Sequence, residues 1–132
     1  MMFVKTRIGL SKIHAIGIFA DQFIKKGTIL WRFIPGFDLK FTKQQIRKLP
    51  PQARKYLDTY SYLSKKSRKY ILPIDNAKYF NHSKNPNCLT AYYENEEEVV
   101  TKAIRDINSG EEITENYRSF EKGFREFRKT KK

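Results

Sequence analysis

Short runs of β-branched and aromatic residues, separated by turn residues, recur along most of the chain. Residues 4–10, 28–34 and 70–73 have this composition, and Pro35-Gly36 follows the second run. Runs of this length and composition are typical of β-strands. The pattern therefore predicts several small sheets rather than a fold of alternating helices and strands.

One helical insertion, about residues 42–64, interrupts this pattern. Thr42 is a suitable N-cap for a helix over residues 43–49, and Pro50-Pro51 ends that helix. A second helix, about residues 51–63, begins with a proline at its first position. One face of it is expected to carry Tyr56, Tyr60 and Leu63. Packing is the expected role of Tyr56, whereas Tyr60 and Tyr62 remain open between packing and function.

A β-hairpin with an acidic tip is predicted in the second half of the chain. Residues 89–93 and 99–104 flank the acidic segment 94–98. After a turn at residues 108–110, a brief strand leads to Tyr117. The last residues place three phenylalanines at helical spacing among charges, which predicts an amphipathic segment. These are Phe120, Phe124 and Phe127.

Length and composition predict one folded domain. The chain has 132 residues, of which 39% are hydrophobic and 14% aromatic. No apolar run is long enough to span a membrane, and the first seven residues lack the apolar core of a signal peptide. We expect an intracellular protein in the cytoplasm, nucleus or nucleoid, without membrane contact; secretion as an effector stays open. A single cysteine, Cys88, excludes an internal disulfide and a thiolate zinc cluster within the chain, so no metal site is predicted.

Charge changes this picture because the net charge of +13 is unevenly distributed. Basic residues concentrate between positions 40 and 70 and again after position 117, whereas acidic residues gather at 94–98 and 111–115. Such separation favours a polyanionic partner such as nucleic acid, bound through the insertion and the tail. The alternative interpretation is solubility.

Two motifs carry the candidate chemistry. The first is the sequence NHSKNPN at residues 81–87, and the second is GEEITENY at residues 110–117. A loop with small residues, Ala15-Ile16-Gly17, precedes both; small residues at this spacing allow a tight turn and close approach to a ligand. Taken singly, Asn81 and His82 are better interpreted as residues that cap a turn, or, for His82, as a buried structural histidine.

Taken in order, these motifs resemble the SET domain of protein lysine methyltransferases, over residues 4–117. The chain is similar to a minimal, viral or bacterial type of SET domain that lacks flanking zinc modules. The resemblance implies a mainly β fold of several small twisted sheets with a pseudoknot-like C-terminal crossing. The helical insertion would lie within the domain, residues 1–117, and a basic aromatic tail, residues 118–132, would follow it.

The resemblance also implies S-adenosylmethionine as the cofactor and transfer of its methyl group to a lysine of a protein substrate. Histones and basic DNA-associated proteins are expected substrates. Residues that match the family's cofactor-binding positions are Ala15, Ile16, Gly17, Asn81, His82 and Tyr117. Tyr117 also matches the catalytic tyrosine. We expect it to position the attacking amine through its dipole, since a free phenol ionises near pH 10 and is a poor base.

Three departures from the family's pattern affect the expected site. Ala15 stands where the first loop glycine is usual, which is costly if its φ is positive. Glu115 stands where many members carry Phe or Tyr, a position that influences how many methyl groups are added; its carboxylate either holds a lysine ammonium or points to solvent. Cys88 matches one ligand of the family's zinc module, but the tail has no cysteine, so we expect a small buried residue.

The lysine channel therefore needs another way of closing. The tail is one candidate, a symmetric homodimer is another, and the tail as a basic surface segment outside the site is the alternative. The residues expected to line the channel are Tyr60, Tyr62, Glu115, Phe120 and Phe124.

Two further functions compete with the methyltransferase. One keeps the fold but is a catalytically weak binding module for nucleic acid or lysine-rich peptides, which Ala15 and Glu115 favour. The other is a small basic nucleic-acid binder that stacks bases on exposed tyrosines. The ordered motif pair favours the enzyme over both.

Overall fold

Ten short strands are the main regular elements of residues 1–120, the part of the chain that the computed structural model describes. The strands are β1 (Thr6–Leu10), β2 (Ile16–Ala20), β3 (Ile29–Arg32), β4 (Leu39–Phe41), β5 (Tyr62–Leu63), β6 (Tyr70–Leu72), β7 (Asn81–His82), β8 (Cys88–Tyr92), β9 (Val99–Ala103) and β10 (Thr114–Glu115). Two helices, α1 (Lys43–Arg47) and α2 (Pro51–Tyr60), and 3₁₀ turns at Asn76–Tyr79 and Tyr117–Ser119 complete the described part. The fold is mainly β, as predicted.

The strands of residues 1–120 form four small sheets. Strands β1 and β2 pair as an antiparallel hairpin, β9 lies between β3 and β8, and β6 lies between β4 and β5. The predicted hairpin with the acidic tip is the β8–β9 pair, in which Cys88 faces Ala103 and Tyr92 faces Val99. The fourth sheet pairs β7 with β10 in parallel, and these two strands belong to the two sequence motifs.

The core lies between these sheets, and the sheet of β3, β9 and β8 contributes most of its strand residues. Ile18, Leu30 and Ile71 are completely buried on β2, β3 and β6. Ile107 and Ile113, from the segments between β9 and β10, are also completely buried. Because each sheet is too small to bury a face alone, the sheets depend on this shared cluster for stability.

The two motifs are joined by reciprocal hydrogen bonds. The backbone N–H of Asn87 donates to the Thr114 hydroxyl (3.2 Å), and the N–H of Thr114 donates to Asn87 Oδ1 (2.9 Å). Asn87 Nδ2 donates to the Glu112 carbonyl (2.8 Å), and the Ser83 N–H donates to the Glu115 carbonyl (2.9 Å). These bonds fix the C-terminal motif beside the earlier one, where the family resemblance places its crossing.

The helical insertion confirms one prediction and corrects another. Thr42 caps α1 in a capping box with Gln45, as expected from the sequence. Helix α2 ends at Tyr60 and not near residue 63, because Ser61 is extended and Tyr62 and Leu63 pair with β6. The prediction that Leu63 shares a helical face with Tyr56 and Tyr60 is therefore wrong. No helix within residues 1–120 combines the length and apolar content needed to cross a membrane.

The acidic segment 94–98 is not uniformly exposed. Glu98 is 1% exposed and accepts a hydrogen bond from the Ser64 hydroxyl (2.6 Å). Its other carboxylate oxygen lies 3.0 Å from Lys40 Nζ. A buried carboxylate needs such a partner because removing its charge from water is costly. The ion pair connects β4 to the start of β9.

We predict that Lys40→Met lowers the free energy of unfolding by about 3 kcal/mol, because it leaves the Glu98 carboxylate buried without its cation. Lys40→Met combined with Glu98→Gln should recover most of this loss, since the glutamine carries no charge. Urea denaturation of the wild type, both single variants and the double variant would measure the coupling. A loss in the double variant equal to the sum of the two single losses would show that the pair is energetically irrelevant.

Candidate functional site

A cavity of about 790 Å³ lies where the β1–β2 loop, the end of α2 and the two motifs meet. Its volume is within the range of small-molecule sites. The structure brings most of the sequence-predicted residues together in its wall: Ala15, Ile16, Tyr60, Tyr62, Asn81, His82, Glu115, Tyr117 and Phe120. Gly17 is not in the wall, and Phe124 lies outside the described residues, as does Phe127.

The β1–β2 loop is a tight turn closed by local hydrogen bonds. The Ser11 N–H donates to the Ala15 carbonyl (2.8 Å), and the Ser11 hydroxyl accepts from the N–H groups of Ile13 (2.9 Å) and His14 (3.3 Å). This geometry holds Ala15 at φ +42°, in the left-handed region. The missing first glycine therefore has a conformational cost, because an L side chain is strained there.

The Glu112 carboxylate joins this loop to the first motif. It accepts hydrogen bonds from the Ser11 hydroxyl (2.8 Å) and from Asn81 Nδ2 (3.0 Å). Asn81 Nδ2 also lies 3.1 Å from the His14 carbonyl oxygen and 3.3 Å from that of Ile16. The Asn81 amide thus fixes the loop backbone that lines the cavity. A residue that only caps a turn would not make these contacts.

Gly17 packs against the Glu112 side chain, and its expected contact with the cofactor stays a prediction. A Cβ at this position would lie 2.5 Å from Glu112 Oε2 and 3.1 Å from the Ser11 Cβ. A larger residue at this position would therefore have to displace the Glu112 carboxylate. Gly17 acts on the cavity indirectly, through the side chain that holds its loop.

His82 and Tyr117 orient each other at the β7–β10 crossing. The Tyr117 N–H donates to His82 Nδ1 (3.1 Å), and the two rings lie 5.4 Å apart. A neutral imidazole that accepts at Nδ1 carries its proton at Nε2. The Tyr117 hydroxyl donates to the Phe80 carbonyl, and the Phe120 ring packs edge-on against the Tyr117 ring at 5.9 Å. The phenol is therefore held from three directions.

The side chain of Glu115 points into the protein. It is 5% exposed and accepts a hydrogen bond from the Thr90 hydroxyl (2.6 Å), which lies 2.9 Å from the Thr101 hydroxyl. Of the two orientations left open by the sequence, the solvent-facing one is wrong. Thr90 and Thr101, which also line the cavity, were not predicted because their positions depend on the register of β8 and β9.

Two buried polar atoms in the cavity wall have no hydrogen-bond partner within residues 1–120. They are the Tyr62 hydroxyl and Trp31 Nε1, on side chains from β5 and β3. Burial, followed by the negative charge of Glu98, raises the pKa of Tyr62 well above 10.0, so this phenol stays protonated. Unpartnered buried donors are costly and rare, which indicates that water or a ligand completes them. The sequence identifies Trp31 as a strand residue, and nothing in it indicates that Trp31 belongs to a site.

Lys78 was also missed by the sequence analysis. Its Nζ donates to the Tyr56 hydroxyl (2.7 Å) and lies 5.5, 5.9 and 5.6 Å from the ring centres of Tyr56, Tyr60 and Tyr79. The hydrogen bond to Tyr56 raises the pKa of Lys78, against a smaller opposing effect of desolvation. Tyr56 is 41% exposed and does more than pack, because it fixes a cation in the cavity wall.

Cys88 is completely buried, in agreement with the expectation of a small buried residue. Burial, reinforced by the Glu115 carboxylate, raises the pKa of its thiol to about 12. The described part of the chain contains no group of three His, Cys, Asp or Glu side chains arranged to hold a metal ion.

Comparisons with known proteins agree with this geometry. The family model of the SET domain matches residues 15–118. Over 112 residues the chain is 30% identical to the histone-lysine N-methyltransferase trr of Drosophila melanogaster, a match that covers 82% of this chain. The match covers 4% of that relative, so this chain corresponds to a small part of it.

Solved structures show the same fold. A Plasmodium falciparum protein assigned as a histone methyltransferase superposes with a TM-score of 0.60 at 24% identity, over 86% of this chain and 93% of that one. A chain of ctPRC2, the Chaetomium thermophilum Polycomb Repressive Complex 2, bound to S-adenosylmethionine in an autoinhibited conformation superposes with a TM-score of 0.67 at 18% identity. That match covers 96% of this chain and 17% of the other. At these identities the likeness establishes the fold alone.

We predict opposite effects for two substitutions in the β1–β2 loop region. Ala15→Gly should raise the free energy of unfolding by about 0.5–1 kcal/mol, because relief of left-handed strain exceeds the added entropy of the unfolded chain. Gly17→Ala should lower it by about 2 kcal/mol, because the new methyl group displaces the Glu112 carboxylate from its partners. Urea denaturation measures both. Destabilisation by Ala15→Gly would contradict the strained geometry of the loop.

Proposed function

Because the chain belongs to the SET-domain family, we propose that it is an S-adenosylmethionine-dependent protein-lysine N-methyltransferase. The observation that carries this proposal is that one cavity has Ala15, Asn81, His82 and Tyr117 in its wall. These residues come from the three sequence segments that match the family's functional positions. The relative with 30% identity, a histone-lysine N-methyltransferase, supports the same reaction.

The residues present fit S-adenosylmethionine, which supplies a methyl group on an electrophilic sulfonium when it is bound. The exposed backbone of Ala15 and Ile16 and the side chains of Asn81 and His82 would hold its polar groups. Lys78, fixed by Tyr56, offers a cation for its carboxylate. The Trp31 and Tyr62 polar atoms, which have no partner among residues 1–120, support an occupant in this cavity.

Tyr117 would position the target amine. Its hydroxyl donates to the Phe80 carbonyl, so the phenol oxygen presents its lone pairs elsewhere and can accept an N–H from the amine. An amine held in this way directs its own lone pair along a fixed line, which is what an in-line displacement requires. Transfer of a methyl group depends mainly on such alignment.

Phe120 and Tyr62 would limit the access of water to the amine. Phe120 is 4% exposed and packs edge-on against Tyr62 at 5.0 Å. The Phe120 carbonyl accepts from the Tyr92 hydroxyl, and the Ser119 hydroxyl donates to the Thr90 carbonyl (2.7 Å), so residues 119–120 are fixed to β8. This part of the expected tail supports a closed lysine channel. An apolar surrounding favours the neutral amine, the form that attacks.

The substrate and partner proposals rest on charge. Histones or basic DNA-associated proteins would offer the lysine, and nucleic acid would bind the insertion. The basic side chains of α1, of its C-cap and of α2 are exposed: Lys43, Arg47, Lys48, Arg54 and Lys55. An exposed basic face of this kind attracts polyanions. A homodimer that completes the lysine channel is a further proposal.

A weak binding module is the second candidate, and two observations favour it. Ala15 is strained in the loop that would contact the cofactor, and a buried carboxylate occupies the wall of the lysine channel. Both features would lower turnover without removing the fold. The module would bind lysine-rich peptides without transferring a methyl group.

We predict that the protein transfers radiolabel from S-adenosylmethionine to core histones or to a basic DNA-binding protein. Tyr117→Phe should reduce this transfer about a hundredfold or more, because it removes the oxygen that aligns the amine. Tyr70→Phe is the matched control, since Tyr70 lies on β6 outside the cavity wall and should retain activity.

Heat stability separates the two candidate functions. An enzyme or a competent cofactor site gains thermal stability with S-adenosylmethionine through binding linkage. Absence of both label and stabilisation in the wild type would reject the methyltransferase and leave the binding module. Full label transfer by Tyr117→Phe would reject the role of Tyr117.

A further inference from the structure

Residues 117–120, the C-terminal turn, bring two side chains to the cavity wall, those of Tyr117 and Phe120. Two local hydrogen bonds form the turn. The Ser119 N–H donates to the Asn116 carbonyl (3.0 Å), and the Phe120 N–H donates to the Tyr117 carbonyl (3.2 Å). A single 3₁₀ turn has little stability of its own, because its hydrogen-bond geometry is poor and nucleation of a helical turn is costly. Its position therefore depends on contacts with other elements.

The Tyr92 hydroxyl, on β8, joins the C-terminal turn to the helical insertion. It donates to the Phe120 carbonyl and accepts from the backbone N–H of Lys65 (2.8 Å). A phenol has one donor and two acceptor positions, so both bonds form at the same time. The two partners lie 28 and 27 residues away along the chain. Tyr92 is half-buried and packs against the core, so its ring gives the hydroxyl a fixed position.

The loop that carries Lys65, residues 64–69 between β5 and β6, is itself firmly held. Ser64 is completely buried, and its hydroxyl donates to Glu98 (2.6 Å). Lys65 reaches the C-terminal turn by a second route, because its Nζ donates to the Arg118 carbonyl (3.0 Å). Lys65 is exposed, so water competes for its ammonium group. The half-buried Tyr92 hydroxyl therefore makes the stronger link.

This link reaches the reacting groups through Phe120. The Phe120 ring packs edge-on against Tyr62 at 5.0 Å and against Tyr117 at 5.9 Å. A shift of the turn would change both contacts and the position of the phenol, and a misplacement of about 1 Å can lower a rate on the order of a hundredfold. Tyr92 lies outside the cavity wall, so it acts on the site only through these residues.

We propose that Tyr92 is a positioning residue for methyl transfer. Its hydroxyl holds the C-terminal turn against the loop of residues 64–69, so that Phe120 and Tyr117 keep the alignment that the target amine needs. This inference deepens the proposed function and rests on it for the reaction. Its structural step, the hold on the turn, is measured without any substrate.

Amide hydrogen exchange of the full chain tests the structural step. Tyr92→Phe keeps the ring and removes the hydroxyl. The amides of Ser119 and Phe120 should exchange about tenfold faster in this variant, as the loss of the two hydrogen bonds of the hydroxyl allows. Tyr93→Phe is the matched control on the same hairpin, because its ring keeps the contact with Lys102 (4.4 Å). Exchange in the control should equal that of the wild type.

Lys65→Met provides a second variant. It removes the bond from Nζ to the Arg118 carbonyl but leaves the backbone N–H that Tyr92 accepts. We expect faster exchange of the same two amides, by a smaller factor than in Tyr92→Phe. Should Tyr92→Phe fail to fold, this variant decides the structural step, since Lys65 is an exposed side chain.

Transfer of radiolabel tests the catalytic step, with core histones and a basic DNA-binding protein as substrates. Tyr92→Phe should lower kcat about tenfold, because the turn loses alignment. The affinity for S-adenosylmethionine, measured by calorimetry, should stay unchanged, since Glu112 and Asn81 hold the β1–β2 loop separately. General destabilisation would instead weaken cofactor binding together with the rate. Tyr93→Phe should retain both.

Unchanged exchange in Tyr92→Phe would overturn the proposal, as would faster exchange with an unchanged kcat. An equal loss of kcat in Tyr93→Phe would show that the Tyr92 hydroxyl has no specific role. Failure of the proposed function is seen in a different protein, the wild type. If the wild type transfers no label, the methyltransferase is rejected, and the positioning role in its reaction is rejected with it.

Discussion

The contacts of the Glu112 carboxylate are the constraint on which the site depends. This one side chain binds the Ser11 hydroxyl of the β1–β2 loop and the Asn81 amide of β7, and it belongs to the segment that leads into β10. Three segments that are far apart in sequence are thereby held around one cavity. Gly17 contributes to the same arrangement, because a Cβ there would lie 2.5 Å from Glu112 Oε2.

The bonds between Asn87 and residues 112–114 act in the same region from the other side. Together with the parallel β7–β10 pair, they fix Tyr117 relative to His82 and the Phe80 carbonyl. The phenol is thus positioned by backbone groups and not by a flexible surface loop. Such preorganisation is what alignment of an amine and a methyl donor requires.

Local signals in the sequence were sufficient to predict most of the helices and strands and the motif residues that line the cavity. The Thr42 cap and the β8–β9 hairpin depend on neighbouring residues, and the structure contains both. The two motifs are identified by residue types and order, and the SET-domain model matches the residues that contain them. The errors concern long-range contacts. Helix α2 ends early because β6 offers a pairing partner to Tyr62 and Leu63, which no local pattern in α2 indicates.

Burial of charges was equally invisible from the sequence. Glu98 is buried because Lys40, on a distant strand, and Ser64 reach it, and Lys78 is fixed because Tyr56, Tyr60 and Tyr79 converge on it from two elements. From the charge pattern alone, such residues would be predicted to lie on the surface. The inward orientation of Glu115 likewise follows from the pairing of β10 with β7 and from the hydroxyl of Thr90 on β8.

The two departures from the family's pattern, Ala15 and Glu115, lie at different points of one cavity and have different consequences. The first is a strained backbone position that Ser11 and Glu112 maintain, so the loop keeps its shape at an energetic cost. The second replaces an aromatic ring with a charge beside the expected catalytic tyrosine. The fold tolerates both because each is compensated by hydrogen bonds within the site.

The central claim is that Glu112 assembles the cavity proposed for S-adenosylmethionine by joining the loop to β7. Calorimetric titration of S-adenosylmethionine into the wild type and into Glu112→Ala tests it most directly, with near-ultraviolet circular dichroism to establish that the variant is folded. The account predicts one binding site in the wild type and at least tenfold weaker binding in the variant, although Glu112 does not line the cavity. Equal affinity in a folded variant, or no binding by the wild type, would contradict the account.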